Sequence, residues 1–264
     1  MRIVPALMRA CAVSVESSRQ ALGPASLGIA SLDAALGGGL AQGRVHEVYA
    51  AESDDAASAA GFAAGVAVCL GTADPGRSVL WLRDQRAARV GGVMQAPGWA
   101  ELGGAPGRGL VGVMPDAMAL LRAAVDALRC AALGAVIVEC WGAMRELDLT
   151  ASRRLALAAE KSGVPLLLLR PDAAPVPSAA QTRWQVAAAP SCTLPGNAPG
   201  MPTFDVTLLR QRSGPCGISW RLEWDRDRRL FRDAALSGAV VSPAAHRPAA
   251  DTGRDGERRD RRAA

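Results

Sequence analysis

Two stretches of the chain place polar side chains where chemistry could be done. The first is Ala50-Ala51-Glu52-Ser53-Asp54-Asp55-Ala56-Ala57-Ser58, between a short apolar segment and an alanine-rich run. A strand-to-helix turn at that place is where an α/β protein grips phosphate. A G-x-x-x-x-G-K-[ST] loop wraps phosphates with backbone N–H groups, its lysine offsets their charge, and its hydroxyl holds magnesium. The turn here has no glycine and no lysine, and it carries three carboxylates. A triphosphate placed there meets like charge and a stiffer backbone. Ser58 is the one side chain that could stand in for the hydroxyl ligand. Glu52, Asp54 and Asp55 also suit a solvated helix start, whose dipole favours acids. The second is Glu139, which ends the apolar run Ala135-Val136-Ile137-Val138 and puts a carboxylate at a strand end. It reads either as a metal- or nucleotide-facing group or as a relic with no present task.

Metal chemistry finds little support. The six cysteines are scattered with no C-x-x-C pair, and His46 and His246 are the only histidines, so a zinc site is not expected. Cysteines in apolar runs, such as Cys69 and Cys140, read as buried free thiols of a cytoplasmic protein. The net charge is +5, and Lys161 is the only lysine, so the positive charge is almost all arginine. That excess permits an acidic partner, DNA included, without demanding one. Hydrophobic residues make up 50% and charged residues 21% of the 264 residues, a globular balance with length for one α/β domain plus tails. No run of about 18 apolar residues is free of polar breaks, so no membrane-spanning helix is expected, and the N-terminus lacks a secretory pattern.

The elements that must position these groups follow from apolar runs and their punctuation. Residues 1–25 read as an N-terminal arm, with a short helix over Val13–Leu22 ended by Gly23-Pro24. Ser31–Leu36 reads as a helical turn broken by Gly37-Gly38-Gly39, and Arg44–Tyr49 as a strand. An Ala-rich helix is expected over Ala56–Leu70, then strands over Ser78–Leu82 and Leu110–Met114 separated by a Gly- and Pro-rich loop. Asp116 should cap a helix reaching about Ala132, and Thr150 one reaching about Ser162 that ends at Gly163. Strands over Ala135–Glu139 and Val164–Leu169 are apolar on both sides, as in a parallel sheet covered by helices on both faces. Phe204–Leu209 and Ile218–Trp224 alternate and read as an antiparallel hairpin at one sheet edge, with a β-like patch at Thr182–Val186. The tail from Arg247 holds six arginines and four acids without a large apolar residue and is expected to be disordered. The fold class is therefore α/β, a three-layer sandwich with a mostly parallel sheet and a C-terminal antiparallel hairpin. The core spans residues 26–230 and the tail 231–264.

The segment Ser31-Leu32-Asp33-Ala34-Ala35-Leu36-Gly37-Gly38-Gly39-Leu40, with Gly43-Arg44 and Glu47-Val48-Tyr49, resembles the start of the ATPase core of the RecA recombinases. In those proteins it leads into a Walker A loop. On that match Ala50 stands for the first loop glycine, Asp55 for the last, Ala56 for the lysine and Ala57 for the threonine. Glu139 matches the Walker B carboxylate in position. The recombinases' catalytic glutamate is absent from the matching stretch Arg83-Asp84-Gln85. The resemblance thus implies a RecA-like fold with a degenerate P-loop and no nucleotide cofactor.

A narrower resemblance, over roughly residues 26–230, is to the ImuA family of RecA-like proteins from bacterial SOS mutagenesis cassettes. It is carried by Leu27–Asp33, Ala56–Ala63, Glu146–Glu160, Thr182-Arg183-Trp184 and Ser219–Trp224. It implies a cytoplasmic, non-catalytic accessory protein of damage-induced translesion synthesis. The implied partners are an ImuB-like inactive Y-family polymerase homologue and an error-prone replicative-type DNA polymerase, with RecA a further candidate and DNA contact indirect. The partner surface is expected over 204–264, with Trp220, Trp224, Arg228, Arg229, Leu230 and Phe231 as its residues. Paired tryptophans on one strand face also read as core, and Arg153 and Arg154 as a solvated helix face opposite Leu155 and Leu157. Three other readings stay open: a divergent ATPase using Glu139 and a basic finger from a neighbouring protomer, a single-stranded-DNA mediator, and a stress-induced regulator of cell division.

Overall fold

A computed structural model describes residues 23–72, 76–105 and 107–234. The expected arm helix over Val13–Leu22 and the tail from residue 235 lie outside the described residues.

Strands form where apolar runs can be buried on both faces. β1 (Val45–Ala50), β2 (Ser78–Asp84), β3 (Gly109–Met114), β4 (Leu133–Glu139), β5 (Leu166–Arg170) and β6 (Thr182–Ala188) pair in parallel. β7 (Thr203–Gln211), β8 (Ile218–Asp225) and β9 (Leu230–Asp233) continue the same sheet antiparallel. The order is β3-β2-β4-β5-β1-β6-β7-β8-β9. β4 and β5 sit near the middle and are buried at every residue, as their sequences, apolar up to a last charged residue, lead one to expect.

Helices cover both faces. α1 (Ala30–Ala35) leads into β1, and α2 (Ala56–Thr72) packs on one face with Leu27, Trp184, Val206, Trp224 and Phe231. α5 (Ala117–Leu128) and α6 (Leu149–Ser162) pack on the other over Leu82, Val136, Val138 and Leu168. α2 is alanine, glycine and apolar residues almost throughout, and it touches β1, β2, β4, β5, β6 and β9. A helix that is apolar all round must be covered all round, which its thin side chains permit. A Cβ built on Gly65 would lie 2.9 Å from Phe231 and 3.0 Å from Trp224, so the glycine makes room for those rings.

Several expectations are corrected. The stretch between β2 and β3 is not all loop: it holds α3 (Gln85–Val90), capped by Asp84 accepting from Ala87 N at 2.6 Å, and α4 (Ala96–Glu101). The cap of α6 is Asp148, accepting from Ala151 N at 2.7 Å, in place of Thr150. The hairpin β7–β8 is not at the edge, because Leu230 and Phe231 add β9 outside it. Residues 231–233 therefore belong to the folded core rather than to a tail. Leu157 is 66% exposed, on the same side of α6 as Arg153 and Arg154, because residues four apart share a helix face. Cys69 and Cys140 are buried, with Cys69 Sγ donating to Arg229 O at 3.3 Å, whereas Cys192 and Cys216 are exposed and Cys130 is disulfide-bonded. Burial pushes the Cys140 thiol up to about 12.

The Gly37–Gly39 run has a structural use. All three residues have positive φ, and the amides of Gly38 and Gly39 both donate to Asp33 O. The run ends α1 and returns the chain so that Leu40 pairs with Ala25. His46 lies fully buried beside it in β1. Trp184 Nε1 donates to Thr182 Oγ1 at 2.8 Å, and that hydroxyl faces His46 Nδ1 at 2.8 Å. His46 Nε2 lies 2.8 Å from Ala41 O. A neutral imidazole protonated at Nε2 satisfies every bond, and burial accordingly lowers its pKa to about 4.

Candidate functional site

The carboxyl ends of β1, β2 and β4 meet at the start of α2, the place where an open parallel sheet binds ligands. The turn after β1 is stitched to the protein by its own groups. Ala51 N donates to Val186 O at 2.8 Å, and Glu52 N donates to Asp55 Oδ2 at 3.2 Å. Asp55 N donates to Glu52 O at 3.0 Å, and Asp55 Oδ1 accepts from Ala188 N at 2.7 Å. Ser53 Oγ reaches Asp172 Oδ1 at 3.4 Å. Asp55 thus ties the turn to β6, while the exposed carboxylates of Glu52 and Asp54 sit at the N-terminal end of α2. Amides at such a helix start can hold an anion only while they are free, and those of Ala51, Glu52 and Asp55 are engaged.

Glu139 is 4% exposed, at the end of β4, and its neighbours neutralise it. Arg83 Nη2, on adjacent β2, donates to Oε1 at 2.6 Å. Trp141 Nε1 donates to the same oxygen at 2.6 Å, and Trp81 Nε1 to Oε2 at 2.9 Å. Arg83 in turn donates to Gly92 O at 2.7 Å and to Ala87 O at 3.0 Å, which fastens α3 over the pair. Gly91 allows that closeness, since a Cβ there would stand 2.6 Å from Arg83 Nη2 and 2.8 Å from Glu139 Oε1. Arg83 Nε has no hydrogen-bond partner among the described residues. Chemically, Glu139 serves here as the buried counter-ion of an arginine.

Above this pair lies an open cleft of about 490 Å³. One wall is the small-residue face of α2, Ala56, Ala57, Ala60, Gly61 and Ala64. The other is the segment from Val90 to Leu102, and Trp81, Trp99 and Trp141 contribute indoles. Four of the residues singled out from the sequence, Asp54, Ala56, Ala57 and Glu139, line this one cleft, and Ala50 and Asp55 adjoin it on the turn. Arg83, Trp81, Trp99 and Trp141 were missed. The only sequence signal was a charged residue following the apolar run of β2, in register with Glu139.

The proposed partner residues do not form one patch. Trp224 and Phe231 are each 1% exposed, stacked edge-to-face at 4.8 Å over α2, and Trp224 Nε1 donates to Leu102 O at 3.2 Å. Burial withdraws both from any contact surface in the folded protein. Trp220 is half-buried against Trp184 and donates to Ser31 Oγ at 3.1 Å, and Leu230 is half-buried as well. Arg228 and Arg229 alone of the six are exposed, in the β8–β9 turn. Arg226 anchors that turn to Glu101 of α4 at 2.5 Å.

No protein-family model and no curated protein matches the chain. Among solved structures it is similar to one described as "Crystal structure of the RadB recombinase". The identity is 17% and the TM-score 0.53, over 80% of this chain and 99% of that one. The fold is RecA-like, and the cleft lies at the carboxyl ends of β2 and β4.

Proposed function

We propose that this chain is a non-catalytic RecA-like accessory protein of SOS-induced, error-prone translesion DNA synthesis. It would act through protein–protein contacts with an ImuB-like Y-family polymerase homologue and an error-prone replicative-type polymerase. RecA is a further candidate partner. The observation that carries the non-catalytic part is the state of the turn after β1. Its Ala51, Glu52 and Asp55 amides are engaged, its exposed acids are Glu52 and Asp54, and the nearest strand-end carboxylate is spent on Arg83. A nucleotide needs the reverse: free amides, a cation at the turn, and a carboxylate open to magnesium. The translesion role rests on the resemblance of Leu27–Asp33, Ala56–Ala63 and Glu146–Glu160 to the ImuA family.

Calorimetric titration of the full chain with ATP and magnesium tests the first part. The expected result is no heat above dilution, and a saturable isotherm would overturn it. Co-purification with the ImuB-like protein tests the second part. Deleting residues from 226 onward is unsuited to mapping that contact, because it removes Phe231 from the core. Charge reversal of Arg228 and Arg229 is the milder probe.

A further inference from the structure

The cleft above the Arg83–Glu139 pair is lined mostly by apolar side chains. Its volume of about 490 Å³ falls within the range of specific ligand pockets. Its floor is indole and its α2 wall is alanine and glycine, so a bulky ring can slide against the helix backbone. Val93 is 77% exposed and Val90 57%, both on the lip. Two apolar side chains held in water beside an apolar cleft are what an occupant would cover.

Charge defines the occupant further. The charged lining residues are Asp54, Arg83 and Glu139. The last two cancel at 2.6 Å, which leaves Asp54 as the net charge, and its carboxylate has no partner among the described residues. With exposed Glu52 close by in the turn, the α2 rim is negative.

We infer that this cleft is a recognition pocket for a peptide segment of a partner protein, in which a large apolar anchor side chain is flanked by a basic residue. The anchor fills the space between α2 and the indoles. The segment's basic side chain faces Asp54. This rests on the adaptor reading above and gives it a contact site, at the end of the sheet rather than on the C-terminal strands.

Selection of a random-peptide display library on the full-length protein tests it, with the Ala57→Trp variant as counter-target. Ala57 is exposed on the first turn of α2, and an indole there would occupy the cleft. Val93→Asp is a second block on the exposed lip, should the first variant fold poorly. The expected result is a family of peptides sharing an aromatic or large aliphatic residue beside Arg or Lys. Either variant should weaken their binding about tenfold or more, as loss of a central anchor does. In spectra of the labelled protein they should shift the indole N–H signals of Trp81, Trp99 and Trp141 and leave that of Trp184 in place. Three outcomes would overturn the inference: no enrichment over the counter-target, enriched peptides that are acidic or indifferent to both variants, or peptides matching residues 1–22 or 235–264 of this chain. The last would assign the cleft to the protein's own segments or to a second copy. If ATP with magnesium displaces the peptides, the non-catalytic reading fails with it. If neither binds, only the peptide site is lost.

Discussion

Replacing Glu139 by Gln separates a structural carboxylate from one kept for a ligand. In the wild type three donors converge on the carboxylate: Arg83 Nη2 and Trp141 Nε1 on Oε1, and Trp81 Nε1 on Oε2. Glutamine retains one acceptor oxygen, which can serve Arg83 and Trp141. Its amide nitrogen then faces Trp81 Nε1–H, donor against donor. The substitution also leaves Arg83, only 6% exposed on its side chain, with no counter-charge. Breaking a buried pair by removing one partner costs about 3–5 kcal/mol. The carbonyls of Gly92 and Ala87 still hold the guanidinium, so a loss near 3 kcal/mol, the low end of that range, is expected for Glu139→Gln. Urea denaturation gives the number, and an unchanged slope shows that the folded and unfolded surfaces are comparable. Arg83→Met should cost a similar amount. The double variant Arg83→Met with Glu139→Leu should recover most of both, because an apolar replacement leaves no charge stranded. A Glu139→Gln protein as stable as wild type, or more so, would refute this. That is how a carboxylate behaves when it is held in a strained state for a ligand.

His46 supplies a pH prediction. Its folded-state pKa is lowered to about 4, first by burial, from an ordinary value of 6.5. The unfolded chain therefore binds the proton first, and stability is full above about pH 6.5 and falls as the pH drops towards 4. The shift corresponds to about 3 kcal/mol, and urea midpoints across that window should show a gradient that His46→Gln flattens. In α2, Gly65→Ala should destabilise by about 1–3 kcal/mol despite alanine's better helix propensity, because its Cβ meets Phe231 and Trp224. Gly71→Ala in the same helix, with nothing within 4 Å of the added Cβ, should raise the melting temperature. Equal effects at the two positions would show that β9 does not pack on Gly65 as described.

The parallel core was legible because β4 and β5 are apolar at nearly every position, and Asp116 announced its helix as a cap should. The turn after β1 was legible by the absence of glycine and lysine. Three features were not. α3 and α4 are six residues each, too short for a helical period to show against the glycines around them. β9 presents Leu230 and Phe231 as the only apolar pair in a run of charges from Asp225 to Asp233, which reads as surface until β8 supplies a partner. The cage around Glu139 draws on Trp81, Arg83 and Trp141, which lie on two strand ends that only the β2–β4 register brings together. Spacing along one strand carries no trace of such a cage.

The features around the cleft depend on one another physically. A carboxylate at the end of a central parallel strand cannot stay charged in the interior unless a cation or several donors meet it. Where a bound metal ion supplies the positive charge, the strand end can remain open. Here Arg83 and two indoles supply it, and they also bring α3 down onto the pair through Ala87 and Gly92. The turn after β1 carries no lysine, and it is tied to β6 by Ala51 N donating to Val186 O and by Asp55 Oδ1 accepting from Ala188 N. The cleft at these strand ends is walled by alanine, glycine and tryptophan, with Asp54 at its rim. On this account, glycine and lysine grafted into positions 50–57 would not suffice to create a phosphate site. The graft would release Asp55 from Ala188, yet Glu139 would still be held by Arg83, and no group for magnesium would be freed.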